Sequence, residues 1–277
     1  MRRGACLLAV AVLTLIAPSV AQSATLQDIK SKGELVVAVE ASYPPFAFME
    51  NGQIVGYDPD LLKLVLQDLV AQGVKVNASD QPWPGMLPGI LAKKYDLIGS
   101  PVYMKADRFS KFGFTVPTSE ATTGLLVRND DPSMRTVDDI VGKVVGGQQG
   151  SGSLAAFKTF NEELTKRKGA SAKEIKEYVA PPEALADLGN KRVDAYVDAF
   201  AVLGVAAKQS PGKYKVLGAV GPKAYFGWVT RLEDKELRDY LSERIIKLKK
   251  DGTIDKLQRK WFGLTMDNPS TNYEPKE

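Results

Sequence analysis

The chain has 277 residues, with 37 lysines and arginines against 33 aspartates and glutamates, one cysteine and no histidine. The lack of histidine excludes a Ser-His-Asp or Cys-His catalytic pair and a zinc site with imidazole ligands, and a single cysteine excludes a disulfide framework. A hydrophobic content of 44% and a charged content of 25% are typical of a soluble globular protein with one large or two medium domains. We expect no metal and no cofactor.

The N-terminus predicts a secretory signal over residues 1–21, cleaved there or two residues later. Two arginines at positions 2 and 3 precede an uncharged apolar run at 7–16, and Ser19-Val20-Ala21 offers the small residues that a signal peptidase reads. The run is too short to span a bilayer. Its removal takes away Cys6 and leaves 35 basic against 33 acidic residues, a net charge of +2. The signal predicts an exported, soluble protein. Because no basic block remains in the mature chain, we expect it to bind no nucleic acid.

The first half of the mature chain alternates strands with helices. Residues 35–39 form a short apolar run rich in valine, which predicts a buried strand. Apolar residues at helical spacing predict a helix over 60–72, with Asp58 as its N-cap and Gly73 after its end. Further strands are predicted at 74–76, 95–99 and 124–127, and a short polar helix at 105–111.

The second half continues the alternation and predicts an α/β protein with mostly parallel sheets, because repeated β-α units place helices over buried strands. The polar residues 267–277 predict a poorly ordered tail. Strands are predicted at 144–146, 177–179, 193–197, 214–217 and 226–230, and helices at 137–141, 154–166, 183–191, 199–208, 234–250 and 253–261.

Several residues suited to a ligand follow the carboxyl ends of the predicted strands, where open α/β sheets place their ligands. Two prolines stiffen the loop that carries Tyr43, and Trp83 lies between two prolines after the next strand. Ser100 offers a hydroxyl, and Arg108 offers a guanidinium fork that matches a carboxylate. For each position, a packed loop or a solvated surface charge is the structural alternative.

Two more positions have polar groups at the same predicted edge. In Gln149-Gly150-Ser151-Gly152-Ser153, small residues leave backbone N–H groups free at a helix N-terminus, which suits an anion, although a plain capped helix is the alternative. The stretch matches neither a phosphate-binding loop nor a dinucleotide fingerprint. Asp198 either pairs with a ligand ammonium group or caps the helix that begins at Ala199. Together these residues predict a pocket for a small zwitterion or organic acid.

The chain carries a series of motifs in a fixed order. They are Gly33-Glu34-Leu35-Val36-Val37, Tyr43-Pro44-Pro45-Phe46, Gly56-Tyr57-Asp58-Pro59-Asp60-Leu61, Trp83-Pro84-Gly85-Met86-Leu87-Pro88, Lys94-Tyr95-Asp96-Leu97-Ile98, Asp107-Arg108, Gln149-Gly150-Ser151, Arg192-Val193-Asp194-Ala195, Asp251-Gly252-Thr253 and Lys260-Trp261-Phe262-Gly263. In these motifs the sequence resembles the periplasmic solute-binding proteins of polar amino acid ABC transporters, extracellular solute-binding family 3, over nearly all of residues 26–264.

The resemblance implies a type II periplasmic-binding-protein fold, in which two lobes, each a mostly parallel sheet flanked by helices, are joined by two hinge strands. Lobe 1 is expected at 22–121 and 226–277, and lobe 2 at 122–225. The implied protein is a periplasmic monomer, not an enzyme, that passes a small-molecule ligand to an ABC transporter permease in the inner membrane. Two alternatives stay open, an exported dehydratase of cyclohexadienyl acids such as arogenate and a ligand sensor for a membrane receptor.

The resemblance also implies roles for site residues. Tyr43 and Trp83 match the aromatic residues on either side of the ligand side chain, Arg108 matches the arginine on the α-carboxylate, and Ser151 matches a helix-terminus contact to the same group. In the family, the aspartate that binds the α-ammonium comes five residues after the Asp of the Asp-Ala pair. Counted from Asp194, that position is Ala199 in this sequence. Either the strand end is shifted and Asp198 binds the ammonium, or no amine is bound there.

Three further positions depart from the family pattern, two just before the arginine and one in the turn that precedes the predicted helix at 154–166. Tyr103 and Lys105 stand where members have a Ser or Thr and a Thr, and Gly152 replaces a hydroxyl residue of the Gly-Thr-Thr turn. We therefore hypothesise a carboxylate-bearing ligand that need not be a standard amino acid. Tyr103 is expected to fill part of the cleft, and Lys105 either meets a second acidic group or is a solvated charge. Glu40, Lys105, Gly152 and Ser153 are the weaker candidates for ligand contact.

Overall fold

The computed structural model describes residues 26–275, so the predicted signal lies outside the described residues. The strands up to residue 120 are β1 (Glu34–Val39), β2 (Ser42–Tyr43), β3 (Ala47–Glu50), β4 (Gln53–Val55), β5 (Lys75–Asp80), β6 (Leu97–Tyr103), β7 (Phe112–Phe114) and β8 (Ser119–Glu120). The helices in this part are α1 (Leu26–Lys32), α2 (Tyr57–Val65), α3 (Gln67–Ala71), α4 (Trp83–Leu91) and α5 (Ala106–Phe109).

The chain then builds a second sheet before it returns to the first. The second sheet comprises β9 (Thr123–Arg128), β10 (Val144–Gln148), β11 (Glu174–Tyr178), β12 (Ala195–Ala199) and β13 (Tyr214–Ala219), with a 3-10 helix at Val137–Ile140 and with α6 (Gly152–Lys168), α7 (Pro181–Gly189) and α8 (Phe200–Gln209). The returning segment comprises β14 (Tyr225–Arg231), α9 (Lys235–Lys250) and α10 (Thr253–Phe262).

Two large sheets are the centres of the two lobes, and β2, β3 and β4 form a small third sheet. The first has the strand order β5-β1-β6-β14-β7, with β8 also paired to β14, and the second has the order β11-β10-β12-β9-β13. In each sheet one strand runs against all the others, β14 in the first and β9 in the second. These are the strands that the chain enters on crossing between the lobes. The two sheets are therefore mixed, with most strands parallel.

The first sheet is covered on both faces, which explains its sequence. All seven residues of β6 are buried, as expected for a strand between two helical layers. One apolar cluster packs α2, α9 and α10 against one face, and another packs α4 against the opposite face. No helix within residues 26–275 is long and apolar enough to cross a membrane.

The start of α2 differs from the prediction, because Asp58 lies in the first turn of the helix and Gly56 occupies the N-cap position. Asp58 is fully buried and accepts a hydrogen bond from Trp228 Nε1 at 2.9 Å. Gly56 has a φ of 134°, and a Cβ there would lie 2.4 Å from the carbonyl oxygen of Phe46. The hairpin before the helix therefore requires glycine at 56, and the acidic residue two positions later supports Trp228.

The C-terminal tail is tied to the rest of the molecule over part of its length, so the predicted poor order is wrong there. Asp267 pairs with Lys223 at 2.6 Å, and Asn268 donates to the carbonyl of Thr118 at 2.9 Å. The ring of Tyr273 packs on Tyr225 with centroids 4.8 Å apart. The polar composition predicted disorder. In the structure, the tail packs against residues next to the two segments that join the lobes.

Candidate ligand-binding site

The candidate site is a cleft between the carboxyl ends of strands from both lobes. Its cavity has a volume of about 20 Å³, which is room for about one water molecule. The first lobe contributes residues that follow or end β1, β5 and β6, and the second contributes the ends of β10 and β12 and the start of α6. The lining residues are Glu40, Tyr43, Trp83, Pro101, Tyr103, Gln148, Ser151, Gly152, Ser153, Asp198 and Phe226.

Three hydrogen bonds cross the cleft and hold the lobes together. The Tyr43 hydroxyl donates to Asp198 Oδ1 at 2.6 Å, and Gln148 Nε2 donates to the carboxyl of Glu40. Arg108 Nη2 donates to the carbonyl of Gly150 at 3.1 Å. Because each bond joins a group of the first lobe to one of the second, this structure is the closed arrangement of the lobes.

The guanidinium of Arg108 is buried beside the cleft, with 8% of the residue exposed. It lies over the ring of Trp83, 5.6 Å from its centroid, and Nη1 donates to the carbonyl of Tyr103 at 3.0 Å. Burial lowers the pKa of Arg108 to about 10, so the group stays charged at neutral pH. None of the carboxylates in residues 26–275 forms an ion pair with it within 4.0 Å. A buried cation without a paired anion is costly, so this position suits an anionic ligand group.

The N-terminus of α6 faces the cavity from the opposite lobe. Ser151 is the N-cap, and its Oγ accepts a hydrogen bond from the Leu154 N–H at 3.1 Å. The N–H groups of Gly152 and Ser153, in the first turn, have no acceptor within the helix. Both residues line the cavity, where the positive end of the helix dipole favours an anion. Arg108 and α6 therefore present donors to the same region from two lobes.

The carboxyl of Glu40 lies in the cleft with only 3% of the residue exposed. Its backbone N–H donates to Ser100 Oγ at 2.8 Å, which fixes the turn after β1. Burial raises the pKa of Glu40 to about 8, so the group is mostly protonated at pH 7. A cation placed against it would lower this pKa and favour the ionised form.

Asp198 lies across the cleft from Glu40, on the second lobe. It accepts hydrogen bonds from the hydroxyls of Tyr43 and Tyr196 and from the N–H of Ala199 at 2.7 Å. Burial raises the pKa of Asp198, and burial also raises the pKa of both tyrosines, which keeps their hydroxyls protonated as donors. Two carboxyl groups therefore line the cavity, Glu40 from the first lobe and Asp198 from the second.

Asp198 is not a helix cap, which was the structural alternative for this residue. It lies within β12, and the N-cap of α8 is Ala199. The strand extends two residues beyond its predicted end, and because side chains alternate with a period of two, Asp198 shares a face with Tyr196. Asp198 lines the cavity, so the shifted strand end brings it into the cleft at the position before Ala199.

Three predicted site residues lie outside the cavity wall. Ser100 is inside β6, where it supports the backbone of Glu40, and Arg108 lies over the ring of Trp83 and donates to the carbonyl of Gly150. Lys105 pairs with Asp107 at 3.5 Å and lines a separate space, here called the outer groove, which lies between α6, residues 220–224 and residues 272–275. The remaining predicted residues line the cavity: Glu40, Tyr43, Trp83, Tyr103, Ser151, Gly152, Ser153 and Asp198.

Three lining residues were not predicted from the sequence, namely Gln148, Pro101 and Phe226. Gln148 is the last residue of β10, so the rule that placed the other candidates at strand ends applies to it as well. Pro101 was missed because the predicted strand ended at 99, whereas β6 continues to Tyr103. Phe226 comes from the returning strand, far along the chain, and carries no local signal.

Comparison with known proteins places the chain among solute-binding proteins. Residues 35–264 match the family model of bacterial extracellular solute-binding proteins, family 3. The L-cystine-binding protein TcyJ of Escherichia coli is 28% identical over 248 residues, which is 88% of each chain. The histidine-binding periplasmic protein of Salmonella typhimurium is 32% identical over 248 residues, covering 87% of this chain and 92% of that protein.

A solved structure supports the same assignment at the level of the fold. The ancestral amino acid-binding protein AncCDT-1, described as a precursor of cyclohexadienyl dehydratase, superposes with a TM-score of 0.73 and 30% identity, over 85% of this chain and 98% of that one. The predicted two-lobed α/β fold is thereby confirmed.

Proposed function

The chain belongs to the bacterial extracellular solute-binding proteins of family 3, and from this premise we propose that it is the periplasmic binding component of an ABC importer. Its ligand is an amino acid or a related small carboxylate, enclosed between the lobes. The relatives named for binding L-cystine and histidine support an amino acid as the class of ligand. The predicted signal at 1–21 supports export to the periplasm, where the protein acts as a monomer that docks on an inner-membrane permease.

The observation that carries the proposal is the buried, unpaired charge of Arg108 beside the α6 N-terminus. An α-carboxylate placed there accepts charge-assisted hydrogen bonds from the guanidinium and from the N–H groups of Gly152 and Ser153. Tyr43 and Trp83 supply apolar walls for the ligand. Asp198 accepts the α-ammonium, which replaces the Tyr43 hydroxyl as its partner, and Glu40 faces the ligand side chain.

The lobes move about the two crossing segments. We place lobe 1 at 22–121 and 226–277 and lobe 2 at 122–225. This division is supported by β8 and β14, which pair with each other, and by β9, which pairs with β12 and β13. An amino acid is larger than the cavity of the closed structure. Ligand entry therefore requires the Tyr43–Asp198 and Glu40–Gln148 bonds to open.

Calorimetric titration of the mature protein with a panel of L-amino acids and their deaminated acids tests this proposal. We expect at least one α-amino acid to bind, and we expect Asp198→Asn to weaken it while the deaminated acid is less affected. Asp187→Asn is the matched control, because Asp187 is in the same lobe but pairs with Lys176 and Arg192 instead of facing the cavity. Binding of a basic amino acid that Asp198→Asn leaves unchanged would contradict the assigned ammonium site.

One observation favours a second function, a dehydratase acting on cyclohexadienyl acids. Glu40 is a buried carboxyl in the cleft with a pKa of about 8, which is suited to a general acid at neutral pH. Incubation of the mature protein with arogenate or prephenate, followed by detection of the aromatic product, decides between the two functions. We propose binding without turnover and expect no product above a Glu40→Gln control. Product formation that is lost in that variant would establish the enzyme.

A further inference from the structure

Gln148 is the last residue of β10 and lines the cleft cavity beside Glu40. Its amide Nε2 donates two hydrogen bonds, one across the cleft to the carboxyl of Glu40 and one within its own lobe to the carbonyl of Val179 at 3.2 Å. Only 6% of the residue is exposed. Gln148 is therefore a buried polar residue that loses one of its two partners whenever the lobes separate.

The bond to Val179 fixes which end of the Gln148 amide faces the cleft. Val179 directly follows β11, which pairs with β10 in the same sheet, so the two residues stay together when the lobes move. A carbonyl oxygen accepts hydrogen bonds but donates none, so only the NH2 group of Gln148 fits against it. If the amide turned over, two buried acceptors would face each other, which is costly. The second lobe therefore presents a fixed hydrogen-bond donor at this place.

Glu40 presents the complementary group from the first lobe. Because burial raises the pKa of Glu40 to about 8, the group at pH 7 is mostly a neutral carboxyl that both donates and accepts hydrogen bonds. A ligand side chain that enters between Glu40 and Gln148 breaks the bond that joins them. Each of the two residues then needs a new partner, since a buried polar group without one is costly.

Building on the proposed function, we infer that Gln148 selects a ligand whose side chain ends in a neutral group with both an acceptor and a donor, such as a carboxamide or a ureido group. The carbonyl oxygen of that group accepts a hydrogen bond from Gln148 Nε2, and its N–H donates to the carboxyl of Glu40. These two bonds replace the one that ligand entry breaks.

The same arrangement disfavours two other classes of side chain. A guanidinium or ammonium group has no acceptor, so its hydrogens face the fixed N–H of Gln148 even while the group pairs with Glu40. An apolar side chain leaves both Gln148 and Glu40 without partners. Gln148 therefore separates an amide from a cation of similar shape. Glu40 alone does not, because a carboxyl group can pair with either.

Two matched pairs of ligands test this selection, because the members of each pair differ mainly in whether the side chain has a carbonyl acceptor. L-Citrulline and L-arginine form the longer pair, and L-glutamine and L-ornithine form the shorter one. The mature protein is titrated calorimetrically with these compounds and with the twenty standard L-amino acids. In the pair whose length suits the cleft, we expect the neutral member to bind about tenfold more tightly than the basic one.

The same titrations separate failure of the selection from failure of the proposed function. Tightest binding of an amino acid with a basic, acidic or apolar side chain would overturn the selection and leave the proposed function standing. A wild type that binds none of these compounds would overturn the proposed function, and the selection with it.

Two substitutions of Gln148 assign the selection to this residue. Gln148→Met keeps the length of the side chain but removes the donor, so the preference for the neutral ligand should fall from about tenfold to about twofold or less. Gln148→Glu replaces the donor with an acceptor, so the basic member of the pair should become the tighter ligand. Gln209→Met is the matched control, because Gln209 is exposed at the end of α8 in the same lobe and does not line the cavity. A preference for the neutral ligand that persists in both Gln148 variants would overturn the inference.

Discussion

Two buried carboxyl groups, Asp58 and Glu40, have nearly the same electrostatics in different settings. Burial raises the pKa of each to about 8. Asp58 binds Trp228, which lies in the same lobe, whereas Glu40 binds Gln148 across the cleft. The perturbed pKa is therefore common to a group that supports the core and to one that faces the ligand cavity. What separates them is whether the partner moves away when the lobes open.

The largest expected difference between the two groups is in folding stability. Asp58→Ala leaves the buried Trp228 N–H without its acceptor and opens a small cavity, so we expect the free energy of unfolding to fall by about 2–4 kcal/mol. Denaturant unfolding measures this. Ligand affinity should change less than twofold, because the site is not touched. Asp58→Asn keeps an acceptor and serves as the control, and a large affinity loss in Asp58→Ala would break the distinction.

The pH dependence of stability should follow Asp58 more than Glu40. The raised pKa means that the folded protein keeps a proton that the unfolded chain releases between about pH 4 and 8. Stability is therefore highest at low pH in this window and falls as the pH rises towards 8, with a slope of at most ~1.4 kcal/mol per pH unit for each group.

Thermal unfolding of two variants at several pH values shows which carboxyl group causes the decrease of stability with pH. Asp58→Asn should remove most of it, since Asp58 stays buried in the open and closed forms. Glu40→Gln should remove little, because Glu40 regains solvent when the lobes separate. Equal contributions from the two groups would show that the cleft stays closed in the free protein.

For ligand affinity we expect the opposite order, with a larger effect from substitution of Glu40 than of Asp58. Glu40→Gln preserves the size of the side chain but removes the carboxyl that ionises against a cationic ligand group, so a ligand with a basic side chain should bind about tenfold more weakly, ~1.4 kcal/mol. The stability of the ligand-free protein should stay within about 0.5 kcal/mol of wild type. Calorimetric titration and denaturant unfolding of the same preparation give both values.

The smallest expected effect is a proton taken up on binding. Because closure buries Glu40 and raises its pKa to about 8, binding of a ligand without a cationic side chain at pH 7 should take up a fraction of one proton. Titrations in buffers with different ionisation enthalpies measure this number. Glu40→Gln should abolish the uptake and Asp58→Asn should leave it unchanged, whereas uptake that persists in Glu40→Gln would assign the proton to Asp198.

The sequence predicted the elements that carry strong local patterns. The valine-rich run at 35–39 and the strand at 226–230 lie within one residue of β1 and β14, because both strands are apolar and buried. Helix α4 was missed, since Pro82, Pro84 and Gly85 are typical of a loop. In the structure Pro82 is the N-cap and Pro84 lies in the first turn, where proline needs no hydrogen-bond donor.

The candidate site was predicted in its composition but not in its contacts. The rule that ligands lie at strand ends gathered Tyr43, Trp83 and Asp198 correctly at one cleft. It did not predict that Asp198 bonds Tyr43 or that Tyr103 packs on Gly152, because these pairs come from different lobes and their distances depend on closure. Local sequence patterns report which face a side chain occupies, and they carry no information on the angle between two lobes.

The central claim is that Arg108 and the α6 N-terminus bind the carboxylate of an amino acid. The most direct measurement compares each L-amino acid with its decarboxylated amine by calorimetry, using L-histidine with histamine and L-arginine with agmatine as the first pairs. The account predicts that, for the amino acid that binds, the amine binds at least 100-fold more weakly. An amine that binds as tightly as its amino acid would contradict the account, because the buried charge of Arg108 would then have no part in recognition.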